Sequence, residues 1–262
     1  MRRKRIPALL VALAMPYAAM GADLTARDVT QLLFKSAPGV PPVFDGQVLV
    51  RLDLAGLDFR NASLAHANLF GADLSGADLS GTDLRAANLD RVTLVSARFD
   101  GANLEGARLL RPSVFSTMGS SATEAPSFKS ANMRGIKIFG RFTRGDFSGA
   151  DLTDATCAPF GKTGFIEEIW RTEFSGANLE GATLTRADFT HALLTFANLR
   201  GALLNGTVLT NADLSGADLT GADLTDADVT GADLDGAILR DVKGLETVKG
   251  LAQARNADKI IR

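Results

Sequence analysis

Large apolar residues recur at every fifth position through most of this chain, with a small residue usually two places earlier. The clearest units read Ala-Asp-Leu-Ser-Gly, as at Ala72–Gly76 and Ala212–Gly216. Two long blocks keep one phase without interruption, each with fourteen apolar positions, from Leu49 to Val114 and from Phe174 to Leu239. The first block has its large apolar residues at Leu49, Leu54, Phe59, Leu64, Leu69, Leu74, Leu79, Leu84, Leu89, Leu94, Phe99, Leu104, Leu109 and Val114.

A period of five fits neither an α-helix nor a straight strand. Five residues of helix turn about 500°, and an odd spacing on a strand sends successive side chains to opposite faces. All the leucines can be buried together only if the chain bends once per unit. Ser75 and Gly76 lie between the inward pairs, and glycine adopts positive φ at such a corner without steric cost. Repeated corners predict an all-β coil, in which the backbone pairs with the coils above and below.

These Ala-(Asp/Asn)-Leu units resemble those of the pentapeptide repeat family over roughly residues 47–243. The resemblance implies a right-handed, quadrilateral β-helix with twenty residues per coil. About 33 repeats would then give roughly eight coils. The resemblance implies little about function, since one fold serves many functions. Some members mimic acidic duplex DNA and engage DNA gyrase, so that role is the alternative hypothesis for this chain.

Residues 1–22 are predicted to be a signal peptide. Arg2, Arg3, Lys4 and Arg5 precede the apolar stretch 7–20, and small residues follow it. Cleavage would predict a periplasmic or secreted bacterial protein, whereas an uncleaved segment would leave it bound to the membrane. The chain carries 28 Lys+Arg and 30 Asp+Glu, so removal of those four positive charges changes the net charge from −2 to −6. We expect no nucleic-acid partner, because the mature chain is mildly acidic and shows no basic patch.

The remaining chain divides into four parts. Residues 23–46 predict a capping helix, with a capping box at Thr25 and Asp28, followed by a Pro-rich linker. The solenoid is expected over 47–243, with irregular loops at 115–127 and 158–172. The phase shifts in the middle cancel over the 60 residues from Val114 to Phe174, which predicts three coils of one continuous solenoid, with a local kink as the alternative. Residues 244–262 predict a second short helical cap or a pair of turns.

No set of residues typical of catalysis appears. Cys157 occupies an inward position and is expected to be a buried apolar side chain. His66 and His191 follow the repeat at corner positions, far apart along the coil. Outward aspartates twenty apart, such as Asp213 and Asp233, should stack and could bind Ca²⁺, but a solvated acidic surface is favoured. We therefore expect no enzyme activity, no cofactor, no metal and no small-molecule substrate.

The irregular middle is the most aromatic stretch and the best candidate for recognition. Phe139, Phe142, Phe165 and Trp170 are the candidate protein-contact residues, because loops on a rigid scaffold often bind partners. The alternative is that these rings fold back onto the solenoid. The sequence thus favours an exported, non-enzymatic structural or protein-interaction scaffold with an unknown protein partner.

Overall fold

A computed structural model describes residues 21–36, 40–116, 123–158 and 171–262 of the chain. Within these ranges, residues twenty positions apart form parallel bridges, as Asp53 does with Asp73. The amide of Leu54 donates to the carbonyl of Asp73 at 2.8 Å, and the amide of Asp73 donates to the carbonyl of Leu52 at 2.9 Å. Each five-residue unit is therefore hydrogen-bonded to its neighbours along the coil axis, and the predicted β-helix is confirmed. Right-handed winding and a square cross-section stay predictions.

In the described ranges, few segments form a helix or a strand longer than a single β-bridge. Helix α1 spans Ala26–Lys35, strand β1 spans Arg108–Leu110 and strand β2 spans Lys137–Phe139. The two strands are parallel neighbours, with Arg108 opposite Lys137. Two short 3₁₀ helices follow at Leu251–Gln253 and Ala257–Lys259.

The bridging residues line up in four columns, which we name after their first members: the Val43, Val48, Asp53 and Asp58 columns. Three columns have ten bridged members each in the described residues, and the Asp53 column has four members up to Ser113 and six from Arg141 onwards, with no bridge between these two. Ten coils exceed the roughly eight expected from the sequence. The ladder also starts earlier and ends later than the expected bounds of 47 and 243. The Val43 column contains Val43, Ser63, Asp83, Asn103, Asn132, Asp151, Thr183, Leu203, Asp223 and Lys243.

The core lies inside the columns. The small and large apolar residues on either side of each bridging residue are almost all fully buried, as at Ala72 and Leu74. Where the middle coils pass, phenylalanine replaces leucine, and Phe128 stacks between Phe99 and Phe147 with ring centroids 4.9 Å apart on each side. The predicted burial of the large apolar residues is therefore confirmed, because the period of five places their side chains inside the coil.

The middle of the coil departs from twenty residues per coil without leaving the columns. Bridges there join residues 29, 19 and then 32 positions apart, as in Asn103–Asn132, Asn132–Asp151 and Asp151–Thr183. Two insertions account for the long intervals and a four-residue step from Ile138 to Phe142 accounts for the short one. The 60 residues from Val114 to Phe174 consequently make two coils instead of the three expected, since the extra residues lie in the insertions.

Corner residues couple successive coils sterically. Phe196 adopts a left-handed conformation, with φ of 56°, at the corner after the Asp53 column. Gly216 occupies the same corner one coil later, and a Cβ atom there would lie 2.5 Å from the Phe196 ring. Asn61 and Gly81 repeat this arrangement, with a Cβ at Gly81 lying 2.7 Å from Asn61 Oδ1. At these two corners the side chain lies where a Cβ of the next coil would be, so glycine is needed there, whereas Arg91 and Arg111 follow each other at another corner without glycine.

Helix α1 packs on the N-terminal end of the core. Its capping box forms as expected, because the Thr25 amide donates to Asp28 Oδ2 at 2.9 Å and the Asp28 amide donates to Thr25 Oγ1 at 3.2 Å. Val29 is fully buried in the core, and Leu24 and Leu33 pack beside it. This contact covers apolar side chains that the first coil would otherwise expose.

The C-terminal segment extends the ladder with a longer unit. Lys249, Arg255 and Ile261 follow Lys243 at intervals of six, and they bridge to Asp228, Asp233 and Ile238 of the previous coil. The extra residue in each unit places an apolar side chain over the end of the core at Leu245, Leu251 and Ala257. The helical cap predicted over 244–262 is therefore built from six-residue units that contain two 3₁₀ helices, and no α-helix forms there.

Candidate functional site

Both insertions open beside the same column of the β-helix. The first insertion follows Ser113, which belongs to the Asp53 column, and the second insertion ends just before Glu173 of that column. Arg141 is the column member between them and bridges to Glu173. Residues 117–122 and 159–170 lie outside the described part of the chain. Because their described ends flank one column within three coils, this part of the surface is the candidate site.

Charged and aromatic side chains meet at this column. Arg141 Nε donates to Glu173 Oε2 at 3.1 Å, and the Thr143 hydroxyl lies 3.4 Å from the same oxygen. The Arg141 guanidinium also lies over the ring of Phe115, 5.8 Å from its centroid. Phe115 belongs to the described start of the first insertion, so this contact connects the insertion to the ladder.

The four aromatic residues predicted to contact a partner have different positions. Phe142 is fully buried and stacks against Phe174 with centroids 5.7 Å apart. Phe139 is 7% exposed at the end of strand β2. These two side chains are therefore not exposed contact residues, because the four-residue step turns Phe142 into an inward position. Phe165 and Trp170 lie outside the described residues and stay predictions.

The outward aspartates are held by the residue two places later. Ser215 donates both its amide and its hydroxyl to Asp213 Oδ1, at 3.0 and 2.6 Å. The hydroxyl of Thr230 donates to Asp228 at 2.6 Å, and this hydrogen bond lowers the pKa of the Asp228 carboxyl. These carboxylates stabilise their corners as hydrogen-bond acceptors. In the described residues, no group of three His, Cys, Asp or Glu side chains could hold a metal ion.

Asparagine amides stack on neighbouring coils, as side chains twenty positions apart should in a coil of twenty residues. Asn88 Nδ2 donates to Asn68 Oδ1 at 3.0 Å, and Asn198 Nδ2 donates to Asn178 Oδ1 at 3.0 Å. A third pair joins Asn132 to the preceding coil at the same distance. The sequence did not suggest the third pair, because the first insertion changes the spacing to 29 residues.

The residues considered for catalysis are not brought together. Burial raises the pKa of the Cys157 thiol well above its usual range, and the nearby Asp188 carboxylate adds to the effect. The Cys157 thiol is therefore unreactive, because the thiolate is the reactive form. His66 and His191 are corner residues with φ of 60° and 61°, on different columns and five coils apart. Among these residues, no acid, base and nucleophile converge on one point.

Sequence reasoning missed a group of basic side chains that the coil brings to one corner. Arg91, Arg108, Arg111, Lys137 and Arg141 lie between the Val48 and Asp53 columns in three successive coils. We call this group the basic corner. These residues are up to 50 positions apart in the chain, so composition and local runs could not reveal them. The sequence signal that could have revealed them is the shifted spacing of the repeat after the first insertion.

Within the described residues, no helix combines the length and the apolar character needed to cross a membrane.

Comparison with known proteins identifies the repeat. The family model for pentapeptide repeats matches in eight copies over residues 43–76, 72–109, 172–211 and 202–241, which together cover just over half of the chain. No curated protein matches the chain.

Several solved structures are similar to the chain. HetL from the cyanobacterium Nostoc sp. strain PCC 7120, a pentapeptide repeat protein involved in heterocyst differentiation regulation, is 24% identical, with 91% of this chain and 100% of HetL covered and a TM-score of 0.38. QnrB1, a plasmid-mediated fluoroquinolone resistance protein, is 21% identical over 80% of this chain and 92% of its own, with a TM-score of 0.36. At these identities and scores, the roles of those proteins do not transfer to this chain.

Proposed function

Since the chain belongs to the pentapeptide repeat family, we propose that it is an exported, non-enzymatic scaffold that binds another protein. The observation that carries this proposal is the position of the two insertions. Their described ends flank one column of the ladder, so a rigid support presents two inserted segments from the same part of the surface. Loops presented in this way are a common means of protein recognition.

Binding can be tested with a photo-crosslinking amino acid at position 170, within the second insertion, in the full chain. A matched variant carries the same amino acid at position 60, which lies on a regular coil. We expect one defined protein adduct from position 170 and none from position 60. Equal adducts from both positions, or none from either, would reject the scaffold proposal.

Export rests on the apolar segment that follows Arg2–Arg5. A fusion of residues 1–46 to alkaline phosphatase should be active, because that enzyme works only after export. The control fusion lacks residues 1–22 and should be inactive. Activity that is absent from both fusions would show that the protein is not periplasmic or secreted.

Absence of enzyme activity is part of the proposal and is supported by the separation of the histidines and the buried state of Cys157. The same reasoning leaves no role for a cofactor or a small-molecule substrate.

The gyrase-binding DNA mimic is the weaker candidate. Such a mimic needs an uninterrupted acidic surface, whereas many carboxylates here pair with arginine, as Asp58 does with Arg60 at 2.6 Å and Asp154 with Arg186 at 2.7 Å. The basic corner interrupts the acidic surface further. A supercoiling assay in which the protein inhibits gyrase at micromolar concentration would reverse this ranking.

A further inference from the structure

One side of the β-helix changes its charge along the axis. Between the Val48 and Asp53 columns, the segments 88–93, 108–113 and 137–141 contain five basic residues and one acidic residue, Asp90. The equivalent segments 188–193, 208–213 and 228–233 contain four aspartates and neither lysine nor arginine. The same backbone therefore presents a positive surface in the middle and a negative one towards the C-terminal end.

Like charges are stacked at the basic corner. Arg108 and Lys137 are directly opposite each other on strands β1 and β2, about 4.8 Å apart as neighbouring strands are. The Arg91 amide donates to the carbonyl of Leu110 at 2.8 Å, which places Arg111 at the corner directly after Arg91 along the axis. Like charges directly opposite each other destabilise a sheet. An anionic ligand would remove that repulsion.

The carboxylates near the basic corner neutralise only part of it. Asp90 Oδ2 accepts from Arg108 at 2.6 Å and its Oδ1 accepts from the Leu110 amide at 3.1 Å, so both oxygens are used. Glu173 pairs with Arg141. Among the described residues, Arg91 and Lys137 have no carboxylate within ion-pair distance, although Arg91 lies over the Phe70 ring at 5.8 Å. Both side chains are exposed.

The backbone is also unusual at this corner. Gly140 replaces the usual corner residue with φ of 154°, and a Cβ atom there would lie 2.9 Å from Pro112 Cδ. The step from Lys137 to Arg141 is four residues instead of five, which brings these two cations closer in sequence than any other pair of successive bridging residues in the regular coils. The departure from regular geometry and the charge cluster therefore coincide.

We propose that the basic corner binds a short acidic segment of the protein partner. This inference rests on the proposed scaffold function and names the chemistry of the partner. Three coils span about 10 Å, and one side of an extended peptide presents a side chain every ~7 Å, so two or three carboxylates fit. A protein that holds DNA through about 6–10 phosphate contacts needs more cations than the corner supplies.

The neighbouring surface favours a short ligand over an extended one. Asp53 and Asp73 precede the corner on the Asp53 column, and Asp213 and Asp233 follow it on the same column. A nucleic acid or an anionic membrane would extend over these carboxylates and be repelled. A peptide of a few residues would contact only the cations.

The test measures binding of fluorescein-labelled hexaglutamate to the full chain by fluorescence anisotropy at low salt. We compare the wild type with R91Q/K137Q and with R60Q/R200Q, which removes two positive charges from arginines that already pair with aspartate. We expect at least a tenfold weaker affinity for R91Q/K137Q and less than a twofold change for R60Q/R200Q. Circular dichroism should give a thermal midpoint for R91Q/K137Q that is no lower than that of the wild type, because the substitutions relieve repulsion between like charges.

Several results would overturn the inference. These are no hexaglutamate binding by the wild type, an equal loss in both variants, or tighter binding of a 12-nucleotide single strand or of phosphatidylglycerol vesicles than of the peptide. A loss that accompanies unfolding of R91Q/K137Q would be resolved with R91K/K137R, which must bind like the wild type. If position 170 still crosslinks its partner in R91Q/K137Q as in the wild type, the acidic-segment inference fails while the scaffold proposal stands.

Discussion

The regular block 173–243 and the interrupted middle 98–172 use the same backbone ladder in different ways. In the regular block every bridge joins residues twenty apart, and leucine fills most of the large inward positions. In the middle the intervals vary, and phenylalanines such as Phe128 and Phe142, whose rings meet edge to face, fill the core. The comparison shows that the ladder tolerates changes in chain length at corners as long as each inward position is filled by a large apolar side chain.

The largest effect should come from a charge in the core of the regular block. Leu204→Asp buries a carboxylate without a partner, and we expect it to abolish cooperative folding, because such a group costs several kcal/mol. Urea unfolding followed by circular dichroism measures this. Asp223→Asn, on the outward side of the next coil, is the control and should change stability by no more than about 1 kcal/mol, because the amide oxygen still accepts the hydrogen bonds from Thr225. Equal effects would mean that the inward and outward assignments are wrong.

A smaller effect should distinguish the two regions through their glycines. Gly140→Ala in the middle should cost about 3 kcal/mol, because its φ of 154° is strained for alanine and Pro112 blocks the Cβ atom. Gly221→Ala in the regular block should cost about 1 kcal/mol, since φ is 71° and no atom lies within 4 Å of the Cβ position. Ala86, with φ of 54°, already shows that the ladder accepts alanine at a corner. Thermal unfolding of both variants tests the order, and a costlier Gly221→Ala would contradict it.

Acid should affect the regular block through its aspartates. Hydrogen bonds from Thr225 and Thr230 lower the pKa values of Asp223 and Asp228. A lowered pKa in the folded state contributes stability above the unfolded value of about 3.9, and this contribution is lost as the pH falls through the folded value. T225V/T230V should therefore be about 1 kcal/mol less stable than the wild type at pH 7, with a smaller difference below pH 4.

The measurement for this pair is the thermal midpoint at pH 7, 5, 4 and 3. Thr183→Val removes a threonine of the Val43 column that has no such role at an aspartate, and it serves as the control. A difference that grows on acidification would contradict the assigned direction of the pKa shifts.

The smallest effect should follow removal of the first insertion. Deletion of residues 116–124 restores a spacing of five between Val114 and Phe128, which are both core residues. We expect a change in stability of less than about 1 kcal/mol, because the closure entropy of a loop depends only weakly on its length. Urea unfolding measures it, and a loss as large as that of Gly140→Ala would show that the insertion is part of the fold.

The fold was largely predictable because the same five-residue pattern of inward and outward positions recurs many times. Each Ala-Asp-Leu unit fixes an inward pair and an outward acceptor, so errors in single units do not accumulate. Prediction failed where the number of residues between inward positions changed. Phe142 follows Ile138 by four residues, and its inward position was therefore not recognised. The six-residue units of the C-terminal segment were missed for the same reason, because their apolar spacing also fits a helix.

The candidate site was less predictable than the fold. Arg91 and Lys137 are 46 positions apart, and only the lengths of the intervening coils bring them to one corner. No local pattern contains that information. By contrast, the amide pair of Asn68 and Asn88 could be predicted, since both belong to a block of uniform coils.

The contact between Phe196 and Gly216 has a consequence for the assembly of such chains from interchangeable parts. The Phe196 ring restricts the same corner of the following coil to glycine, but places no matching demand on the coil before it. Arg91 and Arg111, at one corner in successive coils, do not impose this restriction. A coil that carries such a ring can therefore follow many coils but precede few, and shuffled or duplicated coils in a designed protein would succeed or fail at the junction after the ring.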